Sequence, residues 1–201
     1  MKLFFAAASP FARKVTVCAA ELGIALERVP AAPHPINRDR GVVAQNPLGK
    51  VPTAIADDGT VLYDSRVICE YLDAQGGGGR LFPAPGLARW RALTEQSLAD
   101  GLMDAGILLR YEALTRPAEL QSEAWKSGQM EKVTCALDEL ERLAPDLGDR
   151  VDIGTIAIGC ALGWLDFRFG DLGWRTGRPG LAAWFGRFEQ RPSMAGSKPA
   201  A

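Results

Sequence analysis

The chain predicts a mixed fold, a small α/β unit followed by an all-helical one, and three observations carry this reading. Short apolar runs alternate with amphipathic helical stretches through the first third of the sequence. A glycine run, Gly76-Gly77-Gly78-Gly79, then interrupts the pattern. Beyond it the apolar residues recur only at helical spacing. The expected boundaries are 1–76 for the first unit, 77–86 for a linker and 87–201 for the second.

Leu3–Phe5 reads as a buried strand. Ser9-Pro10 then starts a helix, with the hydroxyl at N-cap and proline in the first turn, and Val15, Cys18, Ala19 and Leu22 form its apolar face up to Gly23. Leu26–Val29 is a second strand, so the chain opens with a βαβ unit. Pro30 to Gln45 is proline-rich and then polar, a loop with a short helix near its end. Asn46-Pro47-Leu48-Gly49 is a turn leading to Val51-Pro52 and the strand Thr53–Ala56, and Asp57-Asp58-Gly59 turns into the strand Thr60–Leu62. Asp64-Ser65 caps a helix carrying Val67, Ile68, Tyr71 and Leu72. The glycine run follows this helix rather than a strand, and reads as a flexible linker instead of a phosphate cradle.

In the second unit, Trp90, Leu93, Ser97 and Leu98 open a long helix that Leu102, Met103 and Leu109 continue. Gln121 to Leu143 is another, and Ile153 to Phe169, almost wholly apolar and capped by Asp152, is the helix at the centre of a bundle. Leu181 to Phe188 forms a short last helix, while Arg191 to Ala201 has too little apolar content to predict order.

With 47% apolar and 23% charged residues the composition is that of a folded globular chain. A formal net charge of -1 and no long basic block exclude nucleic acid as the main partner. No run approaches the ~20 apolar residues of a membrane helix, no signal-peptide pattern opens the chain, and the four cysteines are far apart, so a cytoplasmic protein with reduced thiols is expected. The single histidine, His34, cannot supply a two-histidine metal site, and no G-x-G-x-x-G follows a strand. Neither metal nor nucleotide is expected, so an enzyme of this composition takes its chemistry from a bound cosubstrate.

The strongest local signal is Ser9. A helix N-terminus entered directly from a strand binds anions through its free amides and its dipole. If the anion is a thiolate, the Ser9 hydroxyl can donate to it and lower its pKa. The other reading of Ser9 is a plain helix cap.

Three segments carry a resemblance to a known family. Ser9-Pro10-Phe11-Ala12-Arg13-Lys14 resembles the start of helix 1 in serine-type bacterial glutathione S-transferases. Asn46-Pro47-Leu48-Gly49-Lys50-Val51-Pro52 is similar to that family's cis-proline loop, and Asp64-Ser65-Arg66-Val67-Ile68-Cys69-Glu70-Tyr71-Leu72 to its γ-glutamyl segment. The resemblance covers essentially the whole chain. It implies a thioredoxin-like βαβ-ββα domain followed by a helical bundle, in a homodimeric cytoplasmic detoxification enzyme with glutathione as cosubstrate and a small hydrophobic electrophile as second substrate.

What the resemblance implies for the residues is specific. Ser9 is the catalytic residue, with Phe11 beside it. The backbone of Val51, turned outward before a cis Pro52, pairs with glutathione as an added strand would. Lys50 meets the glycyl carboxylate, and Asp64 and Ser65 take the γ-glutamyl end. Asp100 or Asp104 reaches the glutathione amine from the partner subunit, and His34 lies near the glycine end. Phe11, Tyr111 and Trp164 wall the electrophile pocket, and Arg66 is expected to face solvent. Two departures stand out: Asp64 replaces a glutamate common in relatives, and Thr155 replaces an aspartate in the Asp152-Ile153-Gly154-Thr155 cap, which is expected to weaken a structural contact. Two other functions stay open, a glutathione-dependent reductase or peroxidase and a noncatalytic glutathione-binding stress-response protein. The first wants a cysteine where Ser9 stands.

Overall fold

The computed structural model describes residues 1–199. Four short strands form one sheet: β1 (Lys2–Phe5), β2 (Glu27–Pro30), β3 (Thr53–Ile55) and β4 (Val61–Leu62), in the order β2-β1-β3-β4. β1 and β2 are parallel, joined by the crossover helix α1 (Pro10–Leu22), while β3 runs antiparallel to both β1 and β4. Gly23, at φ 72°, ends α1 in the left-handed cap predicted for it. A short α2 (Arg40–Gln45) precedes the Val51-Pro52 step, and α3 (Ser65–Gln75) closes the sheet unit against α1. The thioredoxin-like unit thus matches the predicted element order to within a residue or two at each end.

The rest is helical: α4 (Leu87–Thr115), α5 (Glu123–Leu147), α6 (Ile153–Arg168), α7 (Pro179–Phe188) and α8 (Pro192–Ala195), with two single 3-10 turns between them. As its composition demands, α6 is buried almost throughout and lies against both α4 and α1. Small residues set that closeness. A Cβ on Gly106 of α4 would stand 2.6 Å from the Trp164 ring, and one on Gly154 of α6 would stand 2.8 Å from the Ala92 carbonyl. No helix among the described residues is long and apolar enough to cross a membrane.

Three expectations are corrected. The glycine run is not a slack tether. Asp73, 2% exposed, accepts from the amides of Leu81 (2.7 Å), Gly79 (2.9 Å) and Phe82 (3.3 Å), winding the segment around a buried carboxylate. Gly77, Gly78 and Gly79 all take positive φ, so three consecutive residues occupy a region that only glycine enters cheaply. Leu81 in turn accepts from the Ile153 amide at 2.9 Å, tying the linker to the start of α6.

The C-terminal stretch is the second correction. Glu21 of α1 pairs with Arg191 at 2.9 Å, Arg13 of α1 donates to the Met194 carbonyl at 3.0 Å, and the Met194 side chain is fully buried, so the described part of the tail is docked on α1. Ala200 and Ala201 lie outside the described residues. The third concerns the α6 cap. Asp152 accepts from the Thr155 amide at 3.1 Å, and the Thr155 hydroxyl accepts from the Asp152 amide at 3.0 Å. The capping box is intact with its residue types exchanged, because either end needs only one acceptor oxygen.

Candidate functional site

Ser9 caps α1 from an extended conformation, its hydroxyl oxygen accepting from the Ala12 amide at 3.2 Å. That bond uses a lone pair and leaves the hydroxyl hydrogen free to donate outward. No acceptor among the described residues takes it. Ser9 and Phe11 are both half-buried, so the first turn of α1 stays open to a ligand. The cap and the donor are therefore compatible roles of one side chain.

The loop that leads into β3 is braced by a buried asparagine. Asn46, 1% exposed, donates to the Lys50 carbonyl at 3.2 Å and to the Thr53 hydroxyl at 3.0 Å, and accepts from the Leu48 amide. The Thr53 hydroxyl also donates to the Lys50 carbonyl at 2.8 Å. The Val51–Pro52 peptide is cis, and no hydrogen bond among the described residues engages the Val51 backbone. Lys50 is exposed beside it. Asn46 and Thr53 were missed as site supports, though an Asn before Pro-Leu-Gly is a legible turn signal, its side chain accepting from the backbone two residues on.

Asp64 caps α3, accepting from the Arg66 amide at 2.9 Å, and is itself exposed; Ser65, 2% exposed, begins the helix. Two helix N-termini, each with a serine in or next to its cap, thus belong to one sheet unit, with the backbone of Val51 between them in sequence.

Beneath this surface lies a charged seam that sequence reasoning did not foresee. Asp100 of α4 is 1% exposed, with one oxygen 2.6 Å from the fully buried Lys14 ammonium and the other 2.9 Å from Arg66. Asp100 is therefore engaged twice within its own chain, against the expectation that it reaches a partner subunit's ligand. Arg66, expected to face solvent, is a bridge from α3 to α4, and the Asp100 hydrogen bond raises its pKa. Lys14 had a legible signal: it shares the apolar face of α1 with Cys18. Its ammonium also lies 5.6 Å from the Phe11 ring centroid.

One turn further along α4, Asp104 is exposed, and its carboxyl is pushed up by partial desolvation and by the charge of Asp100, against the pull of Lys50 and Arg66. Asp104, not Asp100, is the carboxylate of this helix left to meet a cation from outside. Tyr111 lies two turns beyond on the same face and is half-buried. Trp164 is 2% exposed and packs edge-on against Phe169 at 5.5 Å, so it belongs to the core and not to a pocket wall. His34 is exposed, and its Nδ1 accepts from the amides of Ile36 (3.2 Å) and Asn37 (3.0 Å), a loop cap. Cys18 is fully buried with its thiol pushed up by desolvation, which keeps it from serving as the reactive cysteine of a disulfide exchanger.

A small sheet unit with an open serine-capped helix, a cis-proline loop and a second capped helix, joined to a bundle, defines a glutathione transferase-like protein. The family model for the glutathione S-transferase N-terminal domain matches residues 8–75, and that for the C-terminal domain matches residues 123–187. The uncharacterized GST-like protein YibF of Escherichia coli (strain K12) is 38% identical over 203 residues, covering 99% of this chain and 98% of that protein. The crystal structure of a glutathione transferase family member from Pseudomonas fluorescens Pf-5, with bound glutathione, superposes with a TM-score of 0.97 at 45% identity, covering 100% of this chain and 99% of that one. A second Pf-5 family member structure, with bound S-(propanoic acid)-glutathione, gives 0.91 at 45% identity and covers 100% of each chain. The chain belongs to the glutathione S-transferase family.

Proposed function

We propose that this protein binds glutathione in the cleft of its sheet unit and conjugates it to a small electrophile. The carrying observation is the Ser9 hydroxyl, fixed at an open helix N-terminus with its hydrogen unclaimed. A cysteinyl thiolate set there receives that hydrogen bond and the dipole of α1. The Val51 backbone pairs with the peptide, Lys50 meets the glycyl carboxylate, and Asp64 with Ser65 holds the γ-glutamyl end. Asp104 stands as the carboxylate for the glutathione amine. The bound glutathione of the Pf-5 structure supports this ligand, and the S-substituted glutathione of the second supports a product that stays on the same cleft.

Chemically, the thiol proton leaves to solvent and the thiolate sulfur forms a C–S bond at the electrophilic carbon. The electron pair of the broken bond departs with the leaving group, or, in addition to an activated double bond, the π pair shifts to the neighbouring carbon, which takes a proton from solvent. Phe11 and Tyr111 face the second substrate. We extend the reading to a cytoplasmic homodimer, for which exposed Val67 on α3 and exposed Leu87 and Trp90 on α4 offer an apolar face.

The test is the ultraviolet absorbance of bound glutathione thiolate against pH, in wild type and Ser9→Ala. A free thiol ionises near pKa ~8.5, and one hydrogen bond to a charged group is worth about 1.5–3 kcal/mol, or roughly one to two pH units. The wild-type band is expected well below pH 8, and the variant's shifted upward by at least one unit with glutathione still bound. Glutathione binding with no band at neutral pH would remove the mechanism and leave a binding protein.

A further inference from the structure

Two arginines at one end of the bundle have no partner. Arg110 of α4 and Arg168 at the end of α6 are half-buried, and among the described residues neither donates a hydrogen bond or forms an ion pair. The acids nearest them in sequence are engaged elsewhere: Asp166 binds Arg175 and the Trp174 indole, and Glu112 binds Arg116.

Their place follows from helix geometry. α4 and α6 run in the same direction, since Gly154 lies on Ala92 and, further along both, Gly106 lies under Trp164. Arg110 is one turn past Gly106, and Arg168 one turn past Trp164, so both project from facing stripes at the same height. Repulsion from Arg110 adds to partial desolvation in lowering the Arg168 pKa, as two cations without a counter-ion require. The Arg168 guanidinium rests 3.9 Å from the Phe167 ring centroid. Phe167, one turn beyond Gly163, faces α1, because Arg13 lies directly over Gly163.

α1 runs opposite to α6, with Arg13 at Gly163 and Cys18 close enough to Cys160 for their charges to interact. One turn back from Arg13 is Ser9, and one turn on from Gly163 is Phe167; a rise of about 6 Å along each brings the two level. The unpaired arginines therefore stand at the height of the Ser9 hydroxyl, on the bundle side of it.

The geometry points to an anion subsite beside the thiolate position, in which Arg110 and Arg168 receive a carboxylate carried by the electrophile. This rests on the transferase reading and narrows it: the second substrate is a small carbon electrophile bearing an acid, rather than a purely apolar one. Guanidiniums suit this, because each presents a planar fork to the two carboxylate oxygens and holds its charge at any working pH. An entering carboxylate also relieves the repulsion between the two cations.

The test is calorimetric binding of S-(2-carboxyethyl)glutathione and S-propylglutathione to the intact protein, to Arg110→Gln and to Arg168→Gln. Wild type is expected to prefer the carboxyethyl conjugate by about tenfold, the scale of one charge-assisted hydrogen bond. Each variant should cut that preference to about threefold or less while leaving the S-propyl affinity unchanged, which also reports that the variant is folded. Equal wild-type affinities, or a preference that survives in both variants, would overturn the subsite while leaving glutathione binding intact. If neither conjugate binds wild type, the glutathione cleft itself is wrong and the subsite falls with it.

Discussion

Removing the Asp100 carboxylate should be among the most damaging single changes in the molecule, and the structure allows the cost to be worked out. Asp100→Ala takes the counter-ion from Lys14, whose side chain is 0% exposed, and from Arg66, whose side chain is 52% exposed. Arg66 can return to water, so its share is about 0.5 kcal/mol, as for surface pairs. Lys14 cannot, and stranding one member of a buried pair costs about 3–5 kcal/mol. The sum lowers the unfolding temperature by about 10 °C in a domain of this size. Urea unfolding at neutral pH measures it. Lys14→Met supplies the control, because the double variant has no stranded ammonium and should be more stable than Asp100→Ala alone. A loss under about 1 kcal/mol for Asp100→Ala, or a double variant no better than the single, would refute a buried ammonium that depends on this partner.

Two further predictions come from buried groups. Asp73→Ala leaves the amides of Gly79, Leu81 and Phe82 without their acceptor and should cost about 3 kcal/mol, with Asp73→Asn losing about half of that. The local readout is trypsin cleavage after exposed Arg80, expected to accelerate in Asp73→Ala; an unchanged rate would mean the carboxylate does not hold the segment. Burial raises the Cys160 thiol from 9.0 to about 11, so the unfolded chain gives up this proton first on the way to high pH. The associated stability is whole below pH 9 and is lost as pH rises through about 11, a fall of roughly 2.7 kcal/mol when complete. Comparing urea midpoints at pH 8 and pH 10.5, Cys160→Ala should show a shallower decline than wild type, and equal declines would contradict the assignment.

What the sequence made legible was local. Ser9-Pro10, Asp64-Ser65 and Asp152 each announce a helix start through a cap that acts within one turn, and all three caps form. The hairpin at Asp57-Asp58-Gly59 is equally local and equally visible, with the Asp58 carboxylate accepting from the Thr60 amide at 2.8 Å. Trp164 misled because an aromatic at helical spacing looks the same whether it faces a pocket or a core; only Gly106 opposite it, 58 positions earlier, decides. Arg66 and Asp100 misled, and Asp73 drew no reading at all, for a related reason. A charge reads as solvent-facing or ligand-facing until its partner is known, and their partners are brought in by tertiary structure or by an unusual glycine path.

The same long-range bonds explain why the Ser9 site is well defined. α1 begins at the site and offers only its first turn to a ligand, so its orientation sets where the hydroxyl points. Lys14 fastens it to α4 across 86 positions, Arg13 to the Met194 carbonyl across 181, and Glu21 to Arg191 across 170. These attachments come from the bundle on one side and the tail on the other, while the sheet holds α1 from below through β1 and β2. A helix held in its first turns by Arg13 and Lys14 and near its end by Glu21 cannot pivot without breaking a buried ion pair or exposing Met194. The cap at Ser9 is therefore positioned by residues that never approach a ligand, and the predicted damage from Asp100→Ala should extend to the thiolate pKa even where the protein remains folded.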